Sequence, residues 1–417
     1  MKKKEQEKII VSVDIGTSQV KVLIGIKYSD KPIEIIGAGI AESKGITKGI
    51  VVDVESLSNS VLSAIEAAED MADVEVDGVF INITGSHVKS FNYKGSTPIN
   101  NEINQYEITE DNANNAISAA KAVSIPVDRR ILHVVSQEFS IDGHSGVRDP
   151  VGMSGVKLEV EVHIVTGLVT ALQNMSKCLA KADVQIEEII LNSLASASST
   201  LLDEEKEMGV VLIDIGAGVS DIAIYVNDAL KFSDIFPSGG NHVSSDIAAA
   251  LRVPFNIAEN IKKEHGCALR SLVPVSEELS VPGVVGREEK MMSSRDLASI
   301  IEARMEETFI LIKKKIQGSQ LSEKIGSGIV LTGGGSLLKD IDKLAARVFN
   351  VPVKIGEIRG VGGVDDILES PEFSTSTGLL LHGVEVQKDT DSVITEKKRV
   401  FNLLIDFVKK IFDKNDV

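Results

Sequence analysis

The pattern of apolar and polar residues repeats in two widely separated parts of the chain. In each part an apolar run enters an Asp-Ile-Gly turn and a second apolar run follows, at residues 9–26 and 209–226. Two short apolar runs around a tight glycine turn are typical of a β-hairpin. Each part later contains a predicted buried strand that stops before a Thr-Gly turn, at 78–83 and 325–331. The repeated pattern predicts two lobes of one α/β design.

Apolar residues at helical spacing predict several helices around these strands. The stretch 84–165 differs, because its predicted strands are shorter and more polar and surround a single helix, which indicates an inserted α+β subdomain. The stretch 268–294 contains Pro and Ser and is predicted to be a loose connection. The predicted helices cover 53–72, 108–123, 165–181, 241–266 and 295–316, and further predicted strands cover 33–38, 91–94, 131–139 and 157–165.

Length and charge narrow the class of protein. A chain of 417 residues exceeds the size at which single cores stop growing, so two or more domains are expected. The net charge of −17 at pH 7 argues against nucleic-acid binding through a basic face. Cys178 and Cys267 stand in unrelated contexts and are predicted to be reduced core thiols. No signal-peptide pattern or membrane-spanning apolar run is evident, so a cytoplasmic protein with peripheral membrane contact is expected.

The two Asp-Ile-Gly turns are candidate phosphate sites. The glycine lets the backbone turn so that N–H groups and neighbouring hydroxyls point at phosphate oxygens. A lysine adds a positive charge, and an aspartate at the strand end suits Mg²⁺ held through water. An ordinary hairpin turn is the alternative, which loses weight because the pattern occurs twice and further glycine turns accompany it. The predicted contacts are Asp14, Gly16, Thr17, Ser18, Lys21, Asp214, Gly216, Ala217, Gly218, Val219, Ser220, Gly239, Gly240, Gly333, Gly334, Gly335 and Ser336, with Asp14 and Asp214 on the metal.

The chain lacks the glycine patterns of P-loop and Rossmann sites, but it resembles the actin and sugar-kinase superfamily. Residues 14–21, 214–220 and 331–336 match the phosphate-1, phosphate-2 and adenosine motifs of that superfamily in order and type. The run A-E-N-I-K is similar to its ribose- and adenine-contacting helix, which implies that Glu259 and Lys262 contact the nucleoside. A surface ion pair is the alternative for these two residues. The resemblance implies ATP and Mg²⁺ as ligands.

The more detailed resemblance is to the FtsA family of bacterial actin-like cell division proteins, and it covers nearly the whole chain. Four stretches carry it: ITGSHVKS at 83–90, LDEEKEMGV at 202–210, SDIA at 245–248 and GIVLTGGG at 328–335. The resemblance implies an actin-like ATPase fold, in which two duplicated ribonuclease-H-like lobes carry an inserted α+β subdomain (IC) and a second-lobe subdomain (IIB). It also implies a carboxy-terminal linker and a membrane-targeting helix.

Domain boundaries are predicted by combining this resemblance with the pattern of elements. The segment assigned to the linker is polar and lacks periodicity. Lobe IA is expected at 1–83, completed by 166–195 and 360–384; IC at 84–165; lobe IIA at 196–240 and 326–359; IIB at 241–325; the linker at 385–397; and the amphipathic helix at 398–412.

One departure from the wider superfamily bears on catalysis. ATPases of this fold carry a glutamate that helps to place the attacking water, in a run resembling E-P-x-A-A-A. The corresponding run here is L-N-S-L-A-S-A at 191–197, which contains no carboxylate. Asn192 can orient water but is not a base. We therefore expect ATP binding with slow hydrolysis or none, hence a structural switch rather than an enzyme.

The apolar residues of 398–412 form one stripe when they are placed on a helix. Over 396–414, six Lys or Arg stand against three Asp or Glu, so this tail is positive on an acidic chain. Such a helix binds the headgroup region of an anionic bilayer, whereas packing on the protein itself or on a partner is the alternative. The predicted membrane contacts are Val400, Phe401, Leu403, Leu404, Phe407, Val408, Lys409, Lys410, Ile411 and Phe412.

The family resemblance also implies partners. IIB is expected to hold the carboxy-terminal peptide of the tubulin homologue FtsZ, with Arg304 and Glu307 as candidate contacts, and solvated helix charges are the alternative for that pair. IC is expected to contact neighbouring copies in a filament and later membrane-spanning division proteins. The expected location is the cytoplasmic side of the cell membrane at the division septum.

Other functions of the same superfamily compete with this one. An active ATPase or kinase would need a substrate domain or a second pocket with a catalytic acid, and the sequence reveals no candidate. A pilus or rod-shape assembly factor is the other alternative. The basic carboxy-terminal helix argues against the pilus type, and the IC-type insertion argues against the rod-shape type.

Overall fold

Strands and helices alternate through the part of the chain that the structure, a computed structural model, describes: residues 7–28, 31–100, 106–283, 289–364, 367 and 369–386. The strands are β1 (Lys8–Ile15), β2 (Gln19–Lys27), β3 (Ile33–Glu42), β4 (Ile46–Thr47), β5 (Ile50–Val51), β6 (Gly78–Ile83), β7 (Val88–Pro98), β8 (Arg129–Ile141), β9 (His144–Val147), β10 (Lys157–Leu168), β11 (Gln185–Leu191), β12 (Val210–Ile215), β13 (Ser220–Val226), β14 (Ala229–Phe236), β15 (Glu278–Val281), β16 (Lys290–Ser293), β17 (Ile329–Thr332), β18 (Val353–Ile355) and β19 (Val361–Gly362). The helices are α1 (Val54–Ala72), α2 (Glu110–Lys121), α3 (Val169–Lys181), α4 (Asn192–Thr200), α5 (Asp203–Met208), α6 (Gly240–Leu251), α7 (Phe255–His265), α8 (Ser294–Gly318), α9 (Ile341–Phe349) and α10 (374–386), with 3₁₀ turns at Arg270–Leu272, Ser322–Lys324, Gly334–Leu337 and Pro371–Phe373.

Two sheets share one strand order and the same strand directions. In the first, β3-β2-β1 is an antiparallel meander that β6 and β11 continue in parallel. In the second, β14-β13-β12 is the meander, and β17 and β18 continue it in parallel. β19 adds a parallel edge to the first sheet. The two lobes of one α/β design that the repeat predicts are confirmed.

Apolar helix faces cover these sheets. α1 begins after Asp53, whose carboxylate accepts backbone N–H groups of the first turn and so satisfies donors that have no partner inside the helix. Its Leu57 and Val61 enter the core of the first lobe. Cys178 and Cys267 are both buried and free, as predicted for core thiols.

The segment between β6 and α3 forms the predicted inserted subdomain. Its sheet has the order β7-β10-β8-β9. α2 covers one face of this sheet, where Ala116 and Ala120 pack with Leu158 and Val162. The opposite face lies against β14 of the second lobe. The insertion therefore has its own small core and a second contact with the body of the protein.

Three predicted elements differ in the structure. The segment predicted as a helix over 165–181 continues β10 as far as Leu168, because its backbone still pairs with β8, and the helix follows. The predicted helix 241–266 is two helices, α6 and α7, since Pro254 interrupts the backbone hydrogen bonding. The stretch 268–294 is not merely a loose connection, because β15 and β16 pair within it.

The end of the described chain bears on the predicted linker. α10 continues through residues 385 and 386, which the sequence pattern places in the linker 385–397. Residues from 387 onward, including the predicted membrane helix 398–412, lie outside the described residues. Among the helices that are described, none has both the length and the apolar composition that a bilayer-spanning segment needs.

A buried histidine makes the stability of this fold depend on pH. Nε2 of His133 accepts the backbone N–H of Leu191 at 3.0 Å, and burial, the largest cause, lowers its pKa to about 4 from 6.5. Because the pKa of His133 is lower in the folded than in the unfolded protein, the fold keeps its full stability above about pH 6.5. It loses part of that stability as the pH falls from about 6.5 towards about 4. The shift corresponds to at most about 3 kcal/mol.

We expect His133→Gln to reduce this acid sensitivity. Glutamine can still accept the Leu191 N–H but does not titrate. Between about pH 7 and about pH 5 the free energy of unfolding in urea should fall less for the variant than for the unaltered chain. His144→Gln, at an exposed position, is the control. Equal losses in all three proteins would contradict the prediction.

Candidate functional site

The two Asp-Ile-Gly hairpins have the same turn geometry and meet between the lobes. In each turn the glycine N–H, of Gly16 or Gly216, donates at 3.0 Å to the carbonyl three residues ahead. A side-chain carbon on Gly218 would lie 2.7 Å from Oγ1 of Thr17. The second turn therefore approaches the first at a distance that a larger residue would disturb.

Three buried aspartates lie where the hairpins meet. Asp14 and Asp214, at the ends of β1 and β12, are 7% and 4% exposed. The cross-strand partner of Asp14 is Lys21, whereas the corresponding partner of Asp214 is Asp221, which is 2% exposed. The predicted contacts omit Asp221, although its place in the repeat, equivalent to Lys21, was a usable signal. The site thus combines a lysine from the first hairpin with three carboxyl groups.

Burial raises the pKa of all three carboxyl groups. Desolvation raises the pKa of Asp14 to about 6, although Lys21 opposes the shift. Desolvation also raises the pKa of Asp214, partly offset by a hydrogen bond from Thr375. The pKa of Asp221 lies well above its usual range, because the charge of Asp214 adds to desolvation. Neighbouring buried carboxyl groups are costly to ionise together. A cation bound among them would stabilise their charged forms strongly.

Two asparagines connect the aspartates of both hairpins. Nδ2 of Asn82 donates to Oδ1 of Asp14 at 2.7 Å and to Oδ1 of Asn192 at 2.9 Å. Nδ2 of Asn192 donates to Asp214 at 2.9 Å and to Asp221 at 3.2 Å. The amide of Asn192, considered from sequence as a residue that orients water, is therefore engaged with carboxylates of the second lobe.

Hydroxyl groups from distant parts of the chain complete this network. Oγ1 of Thr84 donates to Oδ1 of Asp221 at 2.6 Å, and Oγ1 of Thr375 donates to Oδ2 of Asp214 at 3.1 Å. Both threonines are more than 130 positions from their partners, so the local pattern, which places Thr84 in a glycine turn, could not reveal these contacts.

The 3₁₀ turn Pro371–Phe373 crosses the site. Nζ of Lys21 donates to the carbonyl of Glu372 at 3.0 Å and lies 5.5 Å from the centroid of the Phe373 ring. The N–H of Gly333 donates to the carbonyl of Pro371 at 3.1 Å. This segment, absent from the predicted contacts, touches both the predicted phosphate lysine and the predicted adenosine turn.

The predicted glycines form one wall of the site. The N–H of Gly240 donates to the carbonyl of Gly216 at 2.9 Å. A side-chain carbon at Gly239 would overlap the backbone of the second turn, and one at Gly333 would overlap the carboxylate of Asp214. Gly333 also has a φ of 80°, a conformation that favours glycine. These glycines permit the backbone segments to converge.

Two of the predicted hydroxyl contacts have structural partners instead. The buried hydroxyl of Ser220 donates to the carbonyl of Ser238 at 2.7 Å, and that of Ser336 donates to the carbonyl of Gly333 at 2.7 Å. The hydrogen of each hydroxyl is thus engaged by a nearby backbone carbonyl. The Ser18 side chain, by contrast, is exposed.

Glu259 and Lys262 lie together beside the glycine wall. Nζ of Lys262 is 2.7 Å from Oε2 of Glu259 and donates to the carbonyl of Gly240 at 3.2 Å, while the hydroxyl of Ser244 also donates to Glu259. Burial would raise the pKa of Glu259, but the hydrogen bonds from Lys262 and Ser244 lower it overall. Side-chain exposures of 14% and 19% show that this is not a solvated surface pair.

The donor set is suited to a hard cation held indirectly. In the portion of the chain that is described, no group of three or more His, Cys, Asp or Glu has the geometry to bind a metal directly. Asp14, Asp214 and Asp221 present oxygen ligands with raised pKa values. Mg²⁺ retains most of its water and uses few carboxylates. The residues present therefore fit a Mg²⁺ ion held through water and phosphate.

The predicted peptide contacts on α8 form ion pairs within the protein. Nε and Nη2 of Arg304 lie 2.5 and 3.0 Å from the carboxylate of Asp246, and Nη1 lies 2.6 Å from Glu307. The bidentate pair fastens α8 to α6. An incoming peptide carboxylate would have to share Arg304 with Asp246 or displace it.

We expect Gly218→Ala to weaken nucleotide binding roughly tenfold, because overpacking of this kind costs about 1–3 kcal/mol. The added methyl would crowd the Thr17 hydroxyl and separate the two turns. Titration calorimetry with Mg²⁺·ATP measures the effect. The control is Gly318→Ala, where the new methyl meets open space. Equal affinity of the two variants would contradict the facing-turn geometry.

Comparison with known proteins places this geometry in a family. Residues 211–378 match the family model for "Cell division protein FtsA", and residues 85–166 match that for "SHS2 domain inserted in FTSA". The chain is 41% identical over 383 residues to the cell division protein FtsA of Pseudomonas aeruginosa, covering 92% of this chain and 91% of the relative. This chain belongs to the FtsA family. The Escherichia coli FtsA protein is 36% identical over 420 residues, which cover 99% of this chain and 98% of that protein.

Solved structures show the fold of this FtsA-family chain. The PilM-PilN type IV pilus biogenesis complex aligns with a TM-score of 0.65 at 15% identity, covering 90% of this chain and 98% of that chain. MreB5 of Spiroplasma citri bound to ADP aligns with a TM-score of 0.55 at 15% identity, covering 92% and 98%. At this identity the likeness concerns the fold alone. The predicted actin-like fold with its inserted subdomain is confirmed.

Proposed function

We propose that this FtsA-family chain binds Mg²⁺·ATP between its lobes and serves cell division as a nucleotide-dependent structural switch. The observation that carries the proposal is the meeting of two glycine turns over three buried carboxyl groups. N–H groups of both turns would hold phosphate from two sides, and Lys21 would offset its charge. Bound Mg²⁺ would neutralise the carboxylates and join them to phosphate oxygens. Glu259 and Lys262 would contact the nucleoside.

Slow hydrolysis is part of the proposal. In ATPases of this fold a glutamate helps to place the attacking water, and the corresponding residue here is Asn192. An amide is not a general base, and the Nδ2 group of Asn192 is occupied by Asp214 and Asp221. Bound ATP would therefore persist and hold the two lobes in one orientation, rather than being consumed as in a kinase or an active ATPase.

We further propose that ATP-bound copies polymerise at the cytoplasmic face of the membrane. The tail at 398–412 would bury its apolar stripe at the headgroup boundary, while its basic residues meet anionic lipid. One such helix binds weakly, whereas a filament carries many, so membrane attachment would depend on assembly.

The proposed partners follow from the family. Subdomain IIB would receive the carboxy-terminal peptide of FtsZ near Arg304 and Glu307, and the tail would thereby anchor the FtsZ ring at the septum. The inserted subdomain would recruit later membrane-spanning division proteins. A peptide that supplies a carboxylate would bind Arg304 by sharing its bidentate fork with Asp246 or by displacing Asp246 from it.

Electron microscopy on an anionic lipid monolayer tests the proposal. Purified full-length protein with Mg²⁺·ATP should form filaments on the lipid. Protein without nucleotide should form fewer, and a chain truncated after residue 386 should form none on the lipid. A protein that stays monomeric under every nucleotide condition would rule out the polymer-anchor mechanism.

A further inference from the structure

The inserted subdomain is connected along the chain to the first lobe, where His133 also bonds to Leu191, and it makes several hydrogen bonds to the second lobe. The chain enters it after β6 and returns through β10 into α3, both in the first lobe. The sheet face that α2 does not cover packs on β14, the third strand of the second-lobe meander. We call this contact the seam. Its polar members are Ser90, Asn92, Gln137 and His163 of the insertion and residues 230–233 of β14.

The seam is polar and partly buried. Oγ of Ser90 donates to the carbonyl of Ser233 at 2.6 Å, and Nε2 of Gln137 donates to the carbonyl of Leu230 at 2.7 Å. Nε2 of His163 lies 2.8 Å from the hydroxyl of Ser233. His163 and Gln137 are only 1% and 8% exposed. Breaking these bonds without water to replace them is costly, so the seam resists separation.

Apolar contacts lie at both ends of the seam. Val135 of the insertion packs against the cluster of the second lobe that contains Tyr225 and Leu230. Near the root of the insertion, Ile235 of β14 packs against the cluster that contains Val88. Apolar contacts alone would tolerate sliding, whereas the directional hydrogen bonds between them fix one register.

β14 leads directly into the wall of the nucleotide cleft. It ends at Phe236, which pairs with Ser220, the first residue of β13, beside the second glycine turn. The following loop is held to that turn by the bond from Gly240 N–H to the carbonyl of Gly216. In addition Thr84, at the start of the insertion, donates to the cleft carboxylate of Asp221. A shift of the second turn relative to the first lobe must therefore displace the seam.

Unfilled space lies beside the seam, at the root of the insertion. A partly open pocket of about 170 Å³ lies between the root of the insertion, α4 and β14. Lys89, Ser193 and Asp234 are among its lining residues. Well-packed interiors transmit displacement, whereas a void lets neighbouring segments move independently. The space borders Ser90 and Ser233 of the seam as well as Leu191 and Ser193, so the segments around it have room to shift.

We infer that the seam makes the inserted subdomain follow the second lobe, so that its orientation on the first lobe depends on whether Mg²⁺·ATP occupies the cleft. This inference rests on the proposed nucleotide binding and adds a regulatory consequence. The outer surface of the insertion, where partners would bind, is presented in a different direction in each nucleotide state. Binding of Mg²⁺·ATP in the cleft thereby changes the direction in which the insertion offers its surface to partners.

Distances between paired spin labels test the inference in the full-length chain. Cysteines replace Ser63 on α1, Ser118 on α2 and Lys314 on α8, which are exposed positions in the first lobe, the insertion and the second lobe. Adding Mg²⁺·ATP should change the distance between labels at 63 and 118. The distance between labels at 118 and 314 should stay constant, because the seam holds those two parts together.

Seam variants separate coupling from binding. The double variant Ser90→Ala/Gln137→Ala removes two of the seam bonds and should reduce the change in the 63–118 distance, while Mg²⁺·ATP affinity stays as in the unaltered chain. Thr97→Val removes a hydroxyl that bonds only locally within the insertion, and should retain the change. Nucleotide binding without any change in the 63–118 distance would overturn the coupling and leave the proposed function standing. Failure to bind Mg²⁺·ATP would overturn both, and calorimetry distinguishes the two cases.

Discussion

Replacing Asp14 by asparagine is expected to abolish tight Mg²⁺·ATP binding and, at the same time, to stabilise the nucleotide-free protein. The carboxylate of Asp14 is buried beside Asp214, and desolvation raises its pKa to about 6 from 3.8. A group whose folded-state pKa is raised stabilises the fold below its unfolded pKa, and this stabilisation is lost as pH rises through the folded value. Near neutral pH the charged carboxylate therefore costs the empty protein up to about 3 kcal/mol.

The same charge is what a cation would use. Without the Asp14 carboxylate, the site loses an oxygen ligand for Mg²⁺ and the negative charge beside Lys21. The affinity for Mg²⁺·ATP should therefore fall roughly 100-fold, or about 3 kcal/mol. Calorimetric titration with Mg²⁺·ATP measures the first effect, and urea unfolding of the nucleotide-free protein near pH 7 measures the second. Asp70→Asn, on the exposed side of α1, is the control for both.

This prediction is specific because one substitution should weaken Mg²⁺·ATP binding and yet raise the free energy of unfolding of the nucleotide-free protein. A merely structural role for Asp14 would lower the free energy of unfolding in the variant, because Asn82 would lose its carboxylate partner. Unchanged Mg²⁺·ATP affinity would show that the buried carboxylates do not serve a metal. Only a site built for a cation combines weaker ligand binding with a more stable empty fold.

The elements that sequence reasoning captures are those with local causes. The hairpin at 209–226 is visible because alternation and a glycine turn act within a few residues. α1 is visible for the same reason, with Asp53 capping its apolar stripe. The break at Pro254 also has a local cause, and helical spacing on both sides of it conceals the interruption. The continuation of β10 to Leu168 has no local cause, since pairing with β8 decides it.

The candidate site divides in the same way. The turn residues Gly16 and Gly216 stand in a repeated motif, and the repeat also contains the position of Asp221. Asn82 and Thr375 come from strands and helices that carry no motif, and their roles depend on tertiary contacts with the two aspartates. Ser220 is a counter-example, because it lies within the motif but its hydroxyl donates to the backbone carbonyl of Ser238. A motif therefore identifies the backbone turn more reliably than it identifies each side chain.

A charge on the apolar stripe of the tail is expected to detach the protein from membranes. Phe407→Glu removes an apolar side chain whose burial contributes about 1.5–3 kcal/mol and adds a negative charge that anionic lipid repels by about 1 kcal/mol. Together these changes should reduce binding to anionic vesicles by roughly 100-fold or more. Co-sedimentation of the full-length variant with such vesicles, in Mg²⁺·ATP, measures the loss.

Asn402→Glu provides a matched control on the polar side of the same predicted helix. It introduces the same charge without removing apolar area, so binding should weaken only by roughly fivefold, the effect of about 1 kcal/mol. If both variants lost binding equally, charge alone would explain attachment and the apolar stripe would have no role. If neither did, the tail would not be the anchor, and its apolar residues would have to pack on the protein or on a partner. A large loss confined to Phe407→Glu requires an apolar face inserted in lipid, which is the arrangement that ties membrane attachment to filament assembly.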